Sequence, residues 1–365
     1  MGREGFDSKK YLDKQQQEFS AALAKGPGKP AFLEFGGKPF LDHHAERVMP
    51  GYDAECKAEI LQWTVKLADV VMVVNSLDIL EQPDGRKPYG RMRGDSGLMY
   101  DRETIRMIDE AHKRQIPIDK VILAVTPREM TSENRGRIDR FRRELESMSV
   151  KLLTHFGIEG YPSENIFESK GNPFEDNDLV RANDGNLVVI SPGGGSGKFS
   201  VLLSEMYDAL IKGQTPNYVK FETFPIYQLD ANHALNLAFE AATADLGNKV
   251  LDVRKGDAEK TGIYRTSYDK DVQNFTLLSR MFEIFGKGNE LSHMNDAVDM
   301  GINRVVDGII DMEIVIEACY QEVERRILRY QAEIDSGIEE IKTIEIARAV
   351  LGKFDAIYKI RTDKQ

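Results

Sequence analysis

From Val188 onward an apolar, β-branched run (Val188, Val189, Ile190) breaks into Ser191-Pro192-Gly193-Gly194-Gly195-Ser196-Gly197-Lys198 and reopens at Phe199 with helical spacing. Few architectures accommodate that order. A strand that ends in glycines and turns straight into a helix aims successive backbone N–H groups at one point. The helix N-terminus adds partial positive charge there, which makes the turn an anion nest. Glycine lets the backbone approach an anion closely in such a turn. The element predicts a strand, a phosphate-holding loop and a helix, with Lys198 reaching the outer phosphates of a nucleotide.

The rest of the chain repeats strand and helix in alternation. Asp69 to Asn75 and Lys120 to Val125 are nearly uninterrupted apolar runs, the pattern of strands buried on both faces of a parallel sheet. Shorter runs at 31–35, 151–153, 186–190 and 219–221 read as further strands, and Gly36-Gly37 stops the first of them. Helical spacing covers 8–23, 54–68 with Asp53 as N-cap, 102–113, 133–147 and 199–211. This predicts an α/β fold: a doubly wound, mostly parallel sheet with helices on both faces and a P-loop-like strand–glycine loop–helix. Ligands on such sheets sit beyond the carboxyl ends of the strands. Past about Pro225 strand signals fade, and helices are expected over 231–243, 269–284, 296–306, 313–332 and 338–359. The expected division is an α/β P-loop-like domain over 1–230 and a helical domain over 231–365, in keeping with two domains for 365 residues.

Composition narrows the partners. Acids outnumber bases 60 to 49, so the chain lacks the electrostatic drive of a nucleic-acid binder. Cys56 and Cys319 stand far apart with no CxxC partner, which disfavours a disulfide framework and a zinc knuckle. No apolar leader opens the chain, Phe6 spoils a myristoylation signal, and no apolar run approaches the ~20 residues of a membrane span. A cytoplasmic protein without a membrane partner is expected.

The glycine loop departs from a full Walker A pattern at two positions. Pro192 stands where the first glycine belongs, and Phe199 stands where a hydroxyl would ligate Mg²⁺. Ser200 is about 100° further round the helix and cannot simply replace it. The Phe199 ring is expected to pack against the sheet or a neighbouring helix. Lys198 is expected to be partly exposed. The phosphate-binding set is therefore Gly193, Gly194, Gly195, Ser196, Gly197 and Lys198, joined by Arg93 from a base-rich loop that also holds Arg86, Lys87 and Arg91. Asn75 and Asp78 follow a buried strand on the side where a ligand would sit. Glu222, Asp230 and Asp245 are acids that could stand on the Mg²⁺ side. Leu33-Glu34-Phe35-Gly36-Gly37-Lys38 reads as a structural turn. Adjacent His43 and His44 point to different sides of any element and do not suggest a metal site.

Several segments recur in order: Gly5-Phe6-Asp7 with Lys10-Tyr11-Leu12, Leu33 to Lys38, Arg93-Gly94-Asp95, Gly193 to Lys198, Lys220 to Ile226, Glu240 to Leu246 and Asp299 to Asn303. Together they resemble the bacterial family called domain of unknown function 1846, also called uncharacterised protein family 0371. The resemblance covers nearly the whole chain, and Lys220 to Ile226 is its most specific run. It implies no established activity. It also implies longer members with a further C-terminal α/β domain that this chain does not include. Relative to the family, Gln82 to Met92 looks like an insertion, which weakens Arg86, Lys87 and Arg91 as ligand residues and leaves Arg93. A non-hydroxyl residue after Lys198 looks like a family feature.

The functional expectation is a P-loop-like phosphate- or nucleotide-binding protein, with phosphotransferase or NTP-hydrolase chemistry as its enzyme form. ATP or another nucleotide and Mg²⁺ are the cofactor candidates. The alternatives are a non-catalytic phosphate-metabolite-binding or assembly protein, and a phosphosugar-type enzyme that uses no nucleotide. The expected partner is a phosphorylated small molecule, and Ile309 to Ile316 is apolar enough to suggest a second copy docking through the helical domain.

Overall fold

A computed structural model describes residues 3–24, 26, 28–80, 96–125, 132–168, 171–183, 185–221, 226–230, 232–245, 267–337, 339 and 341–358. Six strands are described: β1 (Ala31–Phe35), β2 (Asp69–Asn75), β3 (Lys120–Val125), β4 (Lys151–Phe156), β5 (Leu187–Ile190) and β6 (Asn217–Phe221). They pair in the order β4-β3-β2-β5-β1-β6, and every pairing is parallel. The chain builds outward from β2 through β3 to β4, then returns to lay β5 between β2 and β1 and finishes on the far edge with β6. The direction of winding therefore reverses between β2 and β5. Beyond such a reversal lies the ligand crevice of an open α/β sheet.

Period-two alternation sorts the strands' side chains onto two faces. Leu33, Phe35, Met72, Val74, Val121, Leu123, Val188 and Ile190 join one buried cluster. Phe32, Val71, Val73, Ile122, Val189 and Tyr218 join the other. The first face is covered by α1 (Ser8–Leu23), α3 (Cys56–Thr64), α5 (Tyr100–Lys113) and α6 (Ser132–Ser147). The second is covered by α7 (Lys198–Ile211) and α9 (Ser267–Ile284). Two short helices, α2 (His43–Val48) and α4 (Ser76–Leu80), follow β1 and β2.

Beyond residue 231 come α8 (Ala234–Ala242), α9, α10 (Val305–Gly308), α11 (Met312–Asp335) and α12 (Ile341–Tyr358). Most of their buried apolar residues share the sheet's own clusters: Val315, Cys319, Val323, Val350 and Phe354 lie in one with Leu33 and Phe35, while Tyr330, Ile344 and Ala347 form a small one with Ala244. The helix expected over 296–306 is instead a 3-10 turn, Ala297–Met300, and then α10. Between them Gly301 bridges Lys220, and Ile302 N–H donates to the Lys220 carbonyl at 3.0 Å. The sheet edge takes the backbone hydrogen bond that a continuous helix would have needed. Asp53 does not cap α3; its carboxylate accepts from Glu55 N–H at 2.9 Å and shapes the turn before it.

The N-terminal segment is a structural clasp. Asp7 caps α1 through Lys10 N–H, and the Phe6 ring lies against Tyr11 and Tyr52. A Cβ on Gly308 would fall 2.3 Å from that ring, so only glycine fits there. Phe6 also bridges Ile309. Much of the apolar run 309–316 is thereby used within the chain: Val315 is fully buried, while Ile310 stays 54% exposed.

Candidate functional site

The glycine loop sits where β5 ends, beside the ends of β2 and β1. Gly195 (φ 74°) and Gly197 (φ 93°) adopt left-handed backbone that a side chain would strain. A Cβ on Gly193 would meet Tyr100 Oη at 2.5 Å, so that ring also demands glycine. Asn75, at the tip of β2, donates from Nδ2 to the Gly195 carbonyl at 3.0 Å and accepts from Leu77 N–H at 3.0 Å. Ser191 Oγ donates to the Gly193 carbonyl at 2.8 Å and accepts from Lys198 Nζ at 3.0 Å. The backbone N–H groups of Gly194, Gly195 and Gly197 to Phe199 find no acceptor among the described residues, while Ser196 N–H closes the turn onto Gly193. Ser196 Oγ, buried in the same loop, has none either.

Lys198 is buried, against the expectation of a partly exposed side chain. The reason lies on β1. Glu34 points to the same face, its Oε1 3.8 Å from Lys198 Nζ and 4.0 Å from Lys220 Nζ on β6. Tyr218 Oη donates to Glu34 Oε2 at 2.9 Å, and Lys220 donates to Asp271 of α9 at 2.6 Å. Tyr227 also donates to Asp271. Burial pushes the Glu34 carboxyl up, but Lys220, Lys198 and the Tyr218 hydroxyl outweigh it and hold the group below its ordinary value. Burial pushes Lys198 down despite Glu34; burial presses Lys220 down too, but Glu34 and Asp271 together outweigh it and lift Lys220 above its usual value. Asp271 is raised, because burial outweighs Lys220. A desolvated lysine ammonium held by one carboxylate needs an anion in place, its own or a ligand's.

Behind the loop the first turn of α7 is fully committed. The Phe199 ring packs edge-on against Tyr218, centroids 5.5 Å apart, as expected for a core residue. Ser200 Oγ pairs with His155 Nε2 at 2.8 Å. Neither position offers an oxygen to a metal.

The other candidates scatter. Asp78 is buried in α4 after β2. Asp245 has the Arg329 guanidinium and the Tyr330 phenol of α11 as neighbours, away from the loop's own contacts. Asp230 turns the chain before α8, accepting from Asn232 N–H at 2.8 Å. Arg93, Arg86, Lys87, Arg91 and Glu222 lie outside the described residues. Reading the sequence passed over Glu34, Lys220, Tyr218 and Asp271. A signal for the first two existed: each is a single charge in an otherwise buried strand, and they pair across the β1–β6 register. Among the described residues no cluster of His, Cys, Asp and Glu could hold a metal, and no helix is long and apolar enough to cross a membrane.

Comparison with known proteins matches nearly the whole length of the chain. The UPF0371 protein SUB1165 of Streptococcus uberis is 35% identical over 354 residues, which are 96% of this chain and 67% of that protein. A UPF0371 protein of Streptococcus pyogenes (strain Manfredo) is 35% identical over 339 residues, covering 92% and 64%. The chain thus spans about two thirds of the length of these relatives. The family model described as domain of unknown function DUF1846, N-terminal, matches residues 4–355, and the chain belongs to that family.

Proposed function

We propose that this chain binds a phosphate-bearing metabolite or nucleotide on the loop from Gly193 to Lys198. One observation carries the reading: the N–H groups of Gly194, Gly195 and Gly197 to Phe199 have no acceptor among the described residues, beside a buried lysine ammonium at a helix N-terminus. Such a turn is short of an anion, and a phosphate supplies three or more oxygens to it. Asn75 steadies the loop through Gly195. Glu34 holds Lys198 until the ligand's oxygens replace it.

The binding form is favoured over phosphotransfer or NTP hydrolysis. Those reactions place a metal across the β- and γ-phosphates through a loop hydroxyl. Here Phe199 is core and Ser200 is tied to His155. Glu34 is the acid nearest at hand for Mg²⁺, and two lysines already compete for it.

The test is calorimetric titration with inorganic phosphate, ADP, ATP and sugar phosphates against their dephosphorylated forms. At 100 times its dissociation constant a true ligand adds about 2.7 kcal/mol of stability. Lys198→Met keeps the buried stem and removes the charge, so affinity should fall about ten- to a hundredfold. A folded Lys198→Met protein with unchanged affinity would refute the assignment.

A further inference from the structure

On the other face of the sheet lies a second concentration of charge, remote from the glycine loop in sequence. The turn after β1, α2, α5 and α11 enclose a cavity of about 350 Å³ walled by Lys38, Arg47, Arg106, Arg325, Arg326 and Arg329. Phe40 and Met107, which also line it, belong to the cluster opposite the face that carries Glu34. That so many guanidiniums converge in a chain of formal net charge −11 is not an effect of composition.

Two of them have acids of their own: Glu103, 1% exposed and also at the wall, takes Arg106 at 2.8 and 2.9 Å, and Glu333 takes Arg329 at 2.6 Å; the other three guanidiniums share one acid. Glu322, 2% exposed, accepts from Arg47 (2.9 and 3.2 Å), Arg325 (2.7 and 2.9 Å), Arg326 (2.9 Å) and His44 Nδ1 (3.1 Å). One carboxylate thus faces three guanidiniums. A guanidinium has five N–H donors, and Arg47 and Arg325 each direct two at Glu322. Their side chains remain 36% and 46% exposed at the cavity wall. His44 also lines the cavity, 7% exposed, and its Nε2 has no partner. A single arginine would suffice to tie α2 to Glu322. Three held together repel one another unless an anion joins them.

We propose that this cavity is a second binding site, for a small anion carrying two or more phosphate groups. Its volume is at the low end of small-molecule pockets, which suits a compact ligand rather than a polymer. Guanidiniums of Arg47 on α2 and Arg325 on α11 arrive from two directions. Tetrahedral phosphate oxygens can accept from forks in several planes, whereas a planar carboxylate offers two oxygens in one plane.

The experiment is calorimetry with tripolyphosphate and with tricarballylate, a tricarboxylate, in the parent and in Lys198→Met, where the glycine loop is disabled. Arg47→Gln combined with Arg325→Gln leaves Glu322 paired with Arg326 and His44, so the fold should survive; Arg325→Lys keeps charge and loses the fork. In Lys198→Met, where only the cavity is left, tripolyphosphate should still bind, about tenfold or more weaker once the double arginine variant is added and measurably weaker with Arg325→Lys. Tricarballylate should bind at least about tenfold more weakly than tripolyphosphate. Absent binding, indifference to both arginine variants, or equal affinity for tricarballylate would overturn the proposal.

Discussion

The two charge clusters of this chain are balanced in opposite ways. Around the glycine loop, Lys198 and Lys220 alternate with Glu34 and Asp271, so each of these two lysines has an acid of its own chain, with Lys270 as a third cation nearby. Around Glu322, three guanidiniums and an imidazole lean on one carboxylate. Buried charge persists only where it is compensated. In the first cluster both buried lysines are thus already paired, although the loop's N–H groups are not, and a phosphate entering it must exchange with Glu34 for Lys198. The second already presents unused donors to its cavity. A lysine released by exchange and a standing arginine receptor make different demands on the acid at each centre.

Removing that acid gives the largest expected effect. Glu322→Leu strands buried Arg326 and two further guanidiniums, and should cost about 3–5 kcal/mol in urea unfolding. Glu34→Gln should cost less, about 1–3 kcal/mol, because Lys220 keeps Asp271 and Lys198 keeps Ser191. Equal losses would erase the distinction between the clusters.

Acid titration sharpens it next. Burial pushes His155 down to about 4. The unfolded chain therefore takes that proton first, and stability falls as the pH drops from about 6.5 to about 4. Burial pushes Glu205, on α7 and bonded to Val180 N–H, up to about 7. The folded chain holds that proton after the unfolded one has released it, so stability falls as the pH rises from about 4.5 to 7. The two slopes, about 1.4 kcal/mol per pH unit each, oppose one another on the loop's side. At and beside the cavity, His44, Glu322 and Asp42 act in one sense. Burial lowers His44, and Glu322 is held low against its own burial by His44, Arg325 and Arg47. Asp42, despite burial, is held at about 2 by Lys57. Each of these contributions is lost as the pH falls. Relative to the parent, Glu205→Gln should gain about 3 kcal/mol between pH 4.5 and 7, and His155→Gln should lose about as much between pH 4 and 6.5. Chemical unfolding at several pH values checks both signs, and parallel curves for parent and variants would contradict them.

The sheet was legible because runs such as Val70 to Val74 have no polar residue to spare for solvent, and the glycine loop because no other turn chemistry explains it. Strand order was not: nothing local tells that β5 returns between β2 and β1. Glu34 was read as part of a turn, since its partners Lys220 and Asp271 lie far along the chain. The arginine cavity was hidden for the same reason. Arg47 and Arg325 each look like an ordinary solvent-facing helical charge until tertiary packing brings both to Glu322. The misjudged exposure of Lys198 follows from missing Glu34, since no lysine is buried without its acid.

The smallest expected effect concerns Mg²⁺ at the glycine loop, and it decides whether Glu34 only holds Lys198 or also serves a metal. An ordinary loop of this kind ligates Mg²⁺ through a hydroxyl just after the lysine. Phe199 has none, and its ring against Tyr218 is core, so Phe199→Thr would lose several kcal/mol of packing and report on folding instead. The parent and Glu34→Gln are the better pair. In the parent, nucleotide affinity with Mg²⁺ and with EDTA should agree within about threefold, and turnover should be slow or absent. In Glu34→Gln the same comparison should stay flat, while affinity for phosphate rises because no carboxylate competes for Lys198. A dependence on Mg²⁺ greater than about tenfold in the parent, abolished in Glu34→Gln, would make Glu34 a metal-side acid. The loop would then use exchange at Lys198 to seat a metal–nucleotide complex, and the phosphotransfer reading would displace simple binding.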